Sequence, residues 1–287
     1  MKIPPYWVKT RYEGQDDRGQ THRIVASGWS FVSLNEAREE AVARAKRIFE
    51  RLMGGERLDR YEYHDVPVKE EILRQITHDG KTIALITRNR YGAEVLNCNQ
   101  VLFVDVDFPK ARPLGFWAAL GGLFRKQKNR NSHDALIHET TQGVISWSDR
   151  NSDHGFRLYR TKEGLRLLFT DRLHDPISPQ TEALLKELHA DPLYGVLTRK
   201  QQCFRARLTS KPWRCNCPNP PSAFPWEDKE KEKEYRDWQL IYEKKNTGFR
   251  TCEFVGEFGK KNMVSQARSI MEIHDRETGV RKKCPLA

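Results

Sequence analysis

The chain has 287 residues, of which 38% are hydrophobic and 31% charged, and its formal net charge is +11 at pH 7. A chain of this length can bury a sizeable core in one large domain or two. No run approaches the roughly 18 apolar residues of a membrane span, and the N-terminus has no apolar segment of signal-peptide length. We therefore expect a cytoplasmic protein with no membrane partner.

The first 60 residues are predicted to form a small ββα unit. Strands are predicted at Trp7–Tyr12 and His22–Ser27, and the helix that follows ends at Gly54. Ser33 and Glu36 have the spacing of a capping box at the start of that helix. Such a unit either binds DNA through its sheet or packs on a larger domain, and packing is the interpretation that we favour.

Residues 61–217 are predicted to form an α+β core. Short apolar runs bounded by turn residues predict strands, and the turns between them favour an antiparallel or mixed sheet. The predicted elements are helices at Val66–Thr77, Pro113–Arg130 and Ser178–His189, strands at Thr82–Thr87, Ala93–Asn97, Val101–Asp107 and Cys203–Thr209, and a hairpin over residues 155–170.

Residues 218–287 are predicted to be a Pro-rich linker followed by a charged helical region. The helix Glu227–Lys245 has few apolar positions, which is typical of a surface appendage outside the core. The last residues, Arg276–Ala287, are predicted to be frayed.

The strand Val101–Asp107 ends in two carboxylates. Side chains alternate along a strand, so Asp105 and Asp107 point to the same face, about 6–7 Å apart. Two neighbouring carboxylates repel each other, and a bound divalent cation with oxygen ligands removes that penalty. The pattern predicts a Mg²⁺ or Mn²⁺ site, and the alternative is a strand that ends in two solvated Asp residues.

Two segments are basic, free of acidic residues and interleaved with aromatic rings. The first holds Lys110, Arg112, Arg125, Lys126, Lys128 and Arg130 with Phe116, Trp117 and Phe124, and the second holds Arg199, Lys200, Arg205, Arg207, Lys211 and Arg214 with Tyr194, Phe204 and Trp213. Cations that bind phosphates, beside rings that stack on bases, are typical of a surface for nucleic acids or nucleotides. The alternative is a solvated basic face without a partner.

Three segments, in this order, resemble the catalytic core of the archaeo-eukaryotic primase superfamily, the primase-polymerases. The first is Asp105-Val106-Asp107 at the end of an apolar strand. The second is a hairpin with Gly164 and Arg166, and the third is Asp191 ahead of a basic strand. The resemblance covers about residues 80–215. It implies an α+β fold with a mixed or antiparallel sheet, built from an RRM-like half and a second α/β unit.

The resemblance also implies roles for individual residues. The family has a His where this chain has Arg166, which is a departure from its pattern. The implied metal ligands and catalytic residues are Asp105, Asp107 and Asp191; the implied nucleotide and phosphate ligands are Thr161, Gly164, Arg166, Arg205, Arg207 and Lys211. The basic segments add Arg125, Lys126, Lys128, Arg130, Trp213 and Arg214 as candidate nucleic-acid ligands.

The function that the resemblance implies is a metal-dependent nucleotidyltransferase in DNA replication or repair. It would use Mg²⁺ or Mn²⁺ and nucleoside triphosphates on a nucleic acid, through two-metal phosphoryl transfer. One alternative is a non-catalytic nucleic-acid-binding relative, for which the missing His would report lost chemistry. Another is a different Asp-x-Asp metal enzyme that acts on phosphate esters or nucleotide sugars.

The cysteines predict no further site. Cys215 and Cys217, with Cys203 earlier in the chain, do not have the usual Cys-x₂-Cys spacing, so zinc is not expected. No local signature of a Cys–His nucleophile is present.

Overall fold

The computed structural model describes residues 1–56, 67–109 and 125–287, and it describes side chains from residue 134 onward in the last range. These residues form antiparallel strands and six α-helices, so the predicted α+β class is confirmed. No helix in these ranges combines the length and apolar character needed to cross a bilayer.

Two compact units share the chain, and each is discontinuous in sequence. The first unit comprises Met1–Asn97 and Arg207–Phe249, and the second comprises Cys98–Ala206 and Arg250–Ala287. The predicted domains are instead consecutive, with bounds at residues 60 and 217. Sequence composition indicates where linkers lie along the chain, but it does not indicate that a later segment packs with an earlier one in the same unit.

The first unit begins with the predicted ββα arrangement. Strands β1 (Tyr6–Gln15) and β2 (Thr21–Ser30) pair antiparallel, and helix α1 (Leu34–Met53) packs on them. The Ser33 side chain accepts a hydrogen bond from the Glu36 backbone N–H at 3.2 Å, as the capping motif predicts. These two strands and the helix were predicted correctly because the spacing of their apolar residues is regular.

Close packing of α1 on β2 depends on small side chains. Ala37, Ala41 and Ala45 line the helix face and are fully buried. Gly28 faces them from β2, where an added Cβ would stand 2.1 Å from the Ala41 backbone nitrogen. The absence of a side chain at Gly28 therefore lets the helix backbone approach the strand.

A three-strand run follows in the first unit. Strands β3 (Glu71–His78), β4 (Lys81–Arg88) and β5 (Glu94–Cys98) are successive neighbours in one sheet. The prediction of a helix at Val66–Thr77 was wrong, because residues 71–78 pair antiparallel with β4. Ile72 and Ile76 are four residues apart, a spacing that fits one face of either a helix or a strand, and pairing with β4 decides between them.

Helix α5 (Lys229–Asn246) completes the first unit, and it is not a surface appendage. Its Tyr235, Trp238 and Tyr242 lie on one helix face and are buried. They form a cluster with the buried Cys215 and Cys217. The helix was predicted correctly, but its burial was missed because three large aromatic rings bury much area at few positions.

The second unit is a four-stranded antiparallel sheet with helices on both faces. Its strands are β6 (Phe103–Asp107), β7 (Gly155–Arg160), β8 (Gly164–Phe169) and β10 (Glu253–Gly259), in the order β10-β7-β8-β6. The remaining helices are α2 (Arg125–Arg150), α3 (Pro179–Glu187), α4 (Pro192–Gln201) and α6 (Ser265–Glu277). Strand β9 (Phe204–Arg207) is the last strand of the other four-stranded sheet, whose order is β3-β4-β5-β9. Of the predicted helix Pro113–Arg130, residues 113–124 lie outside the described residues.

Alternating side chains on this sheet contact different helices. On one face, Phe156 and Phe169 pack against Trp147 of α2, with ring centroids 6.1 and 6.3 Å away. On the other face, the Tyr159 ring lies 4.7 Å from the ring of His274 on α6. Because the sheet is covered on both sides, polar residues on the α6 face are buried unless they lie at its edge.

The C-terminus is ordered, and its predicted fraying was wrong. Ala287 is fully buried, and its N–H donates to the Arg250 carbonyl oxygen at 3.0 Å. Leu286 forms a parallel bridge with Arg250. The sequence does not predict this contact of the last residues with Arg250, because it is made by backbone groups.

Replacement of Gly28 by Ala is expected to destabilise the first unit by about 1–3 kcal/mol, because the new methyl group overlaps the α1 backbone. Urea unfolding followed by circular dichroism measures the change. Gly143→Ala on α2 is the control, since its added Cβ meets nothing within 4 Å and Ala favours a helix by up to about 1 kcal/mol. A Gly28→Ala protein as stable as wild type would contradict the close packing of α1.

Candidate functional site

The two predicted metal-binding carboxylates lie on edge strand β6 of the second unit. Val104 and Val106 point to the buried α2 face, so Asp105 and Asp107 share the opposite face. The Asp105 side chain is 39% exposed, and Asp107, at the end of the strand, is exposed. The apolar alternation thus sets the direction of both carboxylates, as the sequence predicts.

Arg166 binds Asp105 through both carboxylate oxygens. In the antiparallel pairing of β6 with β8, Asp105 lies opposite Arg166 and Asp107 opposite Gly164. The guanidinium donates from Nε to Oδ1 at 2.7 Å and from Nη2 to Oδ2 at 2.9 Å. Because Arg166 is only 3% exposed, its guanidinium holds Asp105 in place instead of facing solvent. Arg166 was predicted to bind phosphate, but its guanidinium is not exposed, so the structure does not support that role.

Gly164 allows the two strands to approach at this point. A Cβ there would stand 2.2 Å from the Val106 carbonyl oxygen and 3.0 Å from the Asp107 Cα. The hairpin turn beside it is closed by Thr161, whose N–H and hydroxyl both donate to the Gly164 carbonyl oxygen, at 2.8 and 3.1 Å. The predicted phosphate ligands Thr161 and Gly164 thus have structural roles in forming the hairpin beside Asp107.

Behind the Asp105–Arg166 pair lies a buried thiol and imidazole. Arg166 Nη1 is 3.8 Å from the Cys252 sulfur, which is 3.7 Å from His274 Nε2. Cys252 and His274 are both fully buried. A chain of polar groups therefore runs from the half-exposed Asp105 into the interior of the second unit.

The chain of polar groups ends at Asp275. This carboxylate lies 3.1 Å from His274 Nδ1, accepts from the Tyr159 hydroxyl at 2.7 Å and accepts from Arg157 Nη2 at 3.0 Å. The path thus joins the carboxylates Asp105 and Asp275 to the guanidinium groups of Arg166 and Arg157, so each of these four charges has a partner of opposite sign, as low dielectric surroundings require.

The neighbours of each group shift its pKa in the direction of the charged form. Burial alone raises the pKa of the Cys252 thiol, but Arg166 and His274 lower it below its ordinary value. Burial alone lowers the pKa of His274, but Cys252 and Asp275 raise it. Burial likewise raises the pKa of Asp275, whereas hydrogen bonds from His274 and Tyr159 bring it below its ordinary value. The neighbours of each group therefore offset the effect of burial on its pKa.

Cys252, His274 and Asp275 are the residue types of a cysteine nucleophile with its base and orienting acid. Their contacts follow that order, but neither the sulfur nor the imidazole is exposed. No substrate can therefore reach the sulfur in this structure, and the three residues form a buried polar network. The sequence did not indicate them, because Cys252 and His274 are 22 residues apart with no local motif.

Asp191 does not join Asp105 and Asp107. Its exposed side chain caps helix α4 by accepting from the Leu193 N–H at 2.9 Å. It lines a cavity of about 700 Å³ between α3 and α4, whereas Asp107 lines another of about 560 Å³ with Glu139 and Glu187. In the described part of the chain, no three His, Cys, Asp or Glu side chains form a metal-binding group.

The predicted cationic ligands are divided between the two units. In the second unit, half-buried Arg205 donates to the Gln201 side chain at 3.2 Å. In the first, Arg207 donates to the Thr209 carbonyl oxygen at 3.1 Å, and Lys211 lies over the Trp213 ring. Trp213 is 49% exposed, and Arg214 follows it in a short 3₁₀ turn.

Little of the first basic segment lies within the described residues. Residues 110–124 lie outside the described residues. Arg125, Lys126, Lys128 and Arg130 belong to α2, and their side chains also lie outside the described part. Their assignment as nucleic-acid ligands stays a prediction.

Comparison of the chain with known proteins found no match among protein-family models, curated proteins or solved structures.

Replacement of Asp105 by Asn is expected to cost about 1.5–3 kcal/mol of stability, because the buried Arg166 loses the partly exposed carboxylate that binds it. Urea unfolding measures the loss. Adding Arg166→Met removes the unpaired charge and is expected to restore part of the stability. A loss below about 1 kcal/mol for Asp105→Asn would mean that the pair behaves as an exposed ion pair.

The protein is expected to lose stability in acid as Asp275 becomes protonated. A carboxyl whose pKa is lowered in the folded state stabilises the protein above its unfolded pKa, 3.8, and that contribution is lost as the pH falls below it. The stability difference between wild type and Asp275→Asn should therefore shrink between about pH 5 and pH 3. Urea unfolding at each pH measures it, with Asp149→Asn as the control, because Asp149 is an exposed residue of α2. A difference that does not change with pH would contradict this assignment.

Proposed function

We propose that the protein is a nucleotidyltransferase of the primase-polymerase kind, which binds a nucleoside triphosphate with a divalent cation at Asp105 and Asp107 and acts on nucleic acid. The observation that carries the proposal is the pairing of β6 with β8. Asp105 and Arg166 belong to two of the segments that resemble the family, and they are 61 residues apart in the sequence. In the sheet they lie side by side, and Gly164 lies opposite Asp107. A small residue and a basic residue thus flank the two carboxylates.

The donor set suits one oxygen-preferring cation. Asp107 is exposed, and the 39% exposed Asp105 keeps further lone pairs beyond its two bonds to Arg166. Mg²⁺ commonly binds through one or two carboxylates together with substrate phosphates, so these residues fit such a cation. When bound, it would neutralise part of the triphosphate charge. No three His, Cys, Asp or Glu side chains of the described residues form a metal-binding group, so a second cation is not part of this proposal.

Arg166 acts in this proposal as a positioning residue. Its bidentate contact fixes the Asp105 carboxylate in one orientation, which lowers the entropic cost of cation binding. The same contact partly neutralises Asp105 and weakens its attraction for a cation. Asp107 is exposed and is therefore the more accessible ligand of the two.

A non-catalytic nucleic-acid-binding relative is the second candidate. It is favoured by Arg166, which occupies the family's His position and binds both Asp105 oxygens. A guanidinium that remains protonated in proteins cannot exchange a proton as imidazole does.

Calorimetric titration with ATP, with and without Mn²⁺, tests the proposal. Asp107→Asn is the variant of choice, because Asp107 is exposed and its loss leaves the Asp105–Arg166 pair intact. We expect Mn²⁺-dependent binding in wild type and in the control Asp149→Asn, and binding at least about tenfold weaker in Asp107→Asn, a loss of about 1.4 kcal/mol.

Primer extension on a single-stranded template then separates the two candidates. Manganese-dependent extension that Asp107→Asn loses would support the transferase. Nucleic-acid binding without triphosphate binding would favour the non-catalytic candidate, and ATP binding that is equal with and without Mn²⁺ would contradict the cation site.

A further inference from the structure

Two aromatic rings meet on the first unit, and one of them is half exposed. The rings of Tyr91 and Trp213 lie edge to face, with centroids 5.4 Å apart and planes at 87°. Trp213 is 49% exposed. Exposure of one ring carries no meaning by itself, since single exposed apolar side chains are common, so a binding role depends on the groups around Trp213.

A cation lies over each ring. Lys211 Nζ is 5.5 Å from the centroid of Trp213, and the Arg90 guanidinium is 4.6 Å from that of Tyr91. No acidic residue occurs between Asp191 and Glu227 in the sequence, so the Trp213 segment carries positive charge only. The surface therefore combines ring faces with positive charge and favours an anionic partner that has flat groups.

The Tyr91 turn has a rigid backbone. Asn89 Oδ1 accepts from the N–H groups of Tyr91 and Ala93 at 3.0 and 3.1 Å, and the Gly92 N–H donates to the Asn89 carbonyl oxygen at 2.8 Å. An added Cβ on Gly92 would stand 2.2 Å from the Trp238 ring. The turn is therefore packed directly against the aromatic cluster of α5.

The Trp213 turn is anchored to the same cluster. The N–H groups of Cys215 and Cys217 donate to the Pro212 carbonyl oxygen at 3.0 and 2.9 Å. Both cysteines are buried against the rings of α5. Both rings are thus held in place before any partner binds, which reduces the entropy lost on binding.

We propose that Tyr91 and Trp213, with Lys211 and Arg90, form a stacking platform for unpaired bases of single-stranded nucleic acid. The inference rests on the proposed function for its partner class, and it adds a site and a strand preference. A base stacks on the Trp213 indole, and the cations bind the phosphates on either side. In a duplex the base faces are already stacked on each other, so the platform prefers a single strand.

Fluorescence anisotropy with a labelled single-stranded oligonucleotide and a matched hairpin duplex tests the platform in the full-length chain. Wild type should bind the single strand more tightly. Trp213→Ala should weaken that binding about 5- to 100-fold, from the usual contribution of one stacked base, and Trp213→Phe should retain much of it. Lys211→Gln should reduce the slope of the logarithm of the binding constant against the logarithm of the salt concentration by about one, the effect of one lost phosphate contact.

Phe31→Ala is the control, because Phe31 is a 57% exposed ring on the same unit beside Glu36, Glu39 and Glu40. It should bind as wild type does, and thermal melting should show that Trp213→Ala is folded. Single-strand binding that Trp213→Ala retains, or equal binding of the duplex, would overturn the platform and leave the proposed function standing. Wild type that binds neither oligonucleotide would overturn both the platform and the nucleic-acid partner, whereas the Mn²⁺–ATP titration tests the cation site separately.

Discussion

The second unit depends on one interaction, the bidentate pair of Asp105 and Arg166. A guanidinium that is 3% exposed must have an anion, because an unpaired charge is too costly to bury. The pair joins β6 to β8 in a single register, since a shift of β6 by one residue would turn Asp105 to the apolar face, away from Arg166. It also sets the place of Cys252, and through Cys252 that of His274 on α6.

This constraint changes what the two carboxylates can do. A carboxylate that accepts two hydrogen bonds from arginine is well ordered but partly neutralised, whereas Asp107 lies exposed at the end of β6. The proposed cation site is therefore asymmetric, with one positioned ligand and one accessible ligand. Such asymmetry suits a single cation that arrives with its phosphate ligands better than a preformed pair of cations.

The first unit combines a buried aromatic cluster with an exposed aromatic surface. Tyr235, Trp238 and Tyr242 on α5 pack with Cys215 and Cys217, and this cluster supports the turns that carry Tyr91 and Trp213. Burial of a few large rings compensates for the low apolar content of the surrounding sequence. The same rigidity that stabilises the unit holds the exposed rings in a fixed arrangement.

The sequence by itself determined the local elements with regular patterns: the ββα unit, the hairpin of β7 and β8, helix α5 and the shared face of Asp105 and Asp107. These follow from residue periodicity, capping and turn residues, which act over a few positions. Only the tertiary structure decided that residues 71–78 are a strand, that Arg166 binds Asp105, and that Asp191 caps a helix. It also brought Cys252 and His274 together. Those outcomes depend on pairing between distant segments, and no local pattern encodes which buried charges will meet.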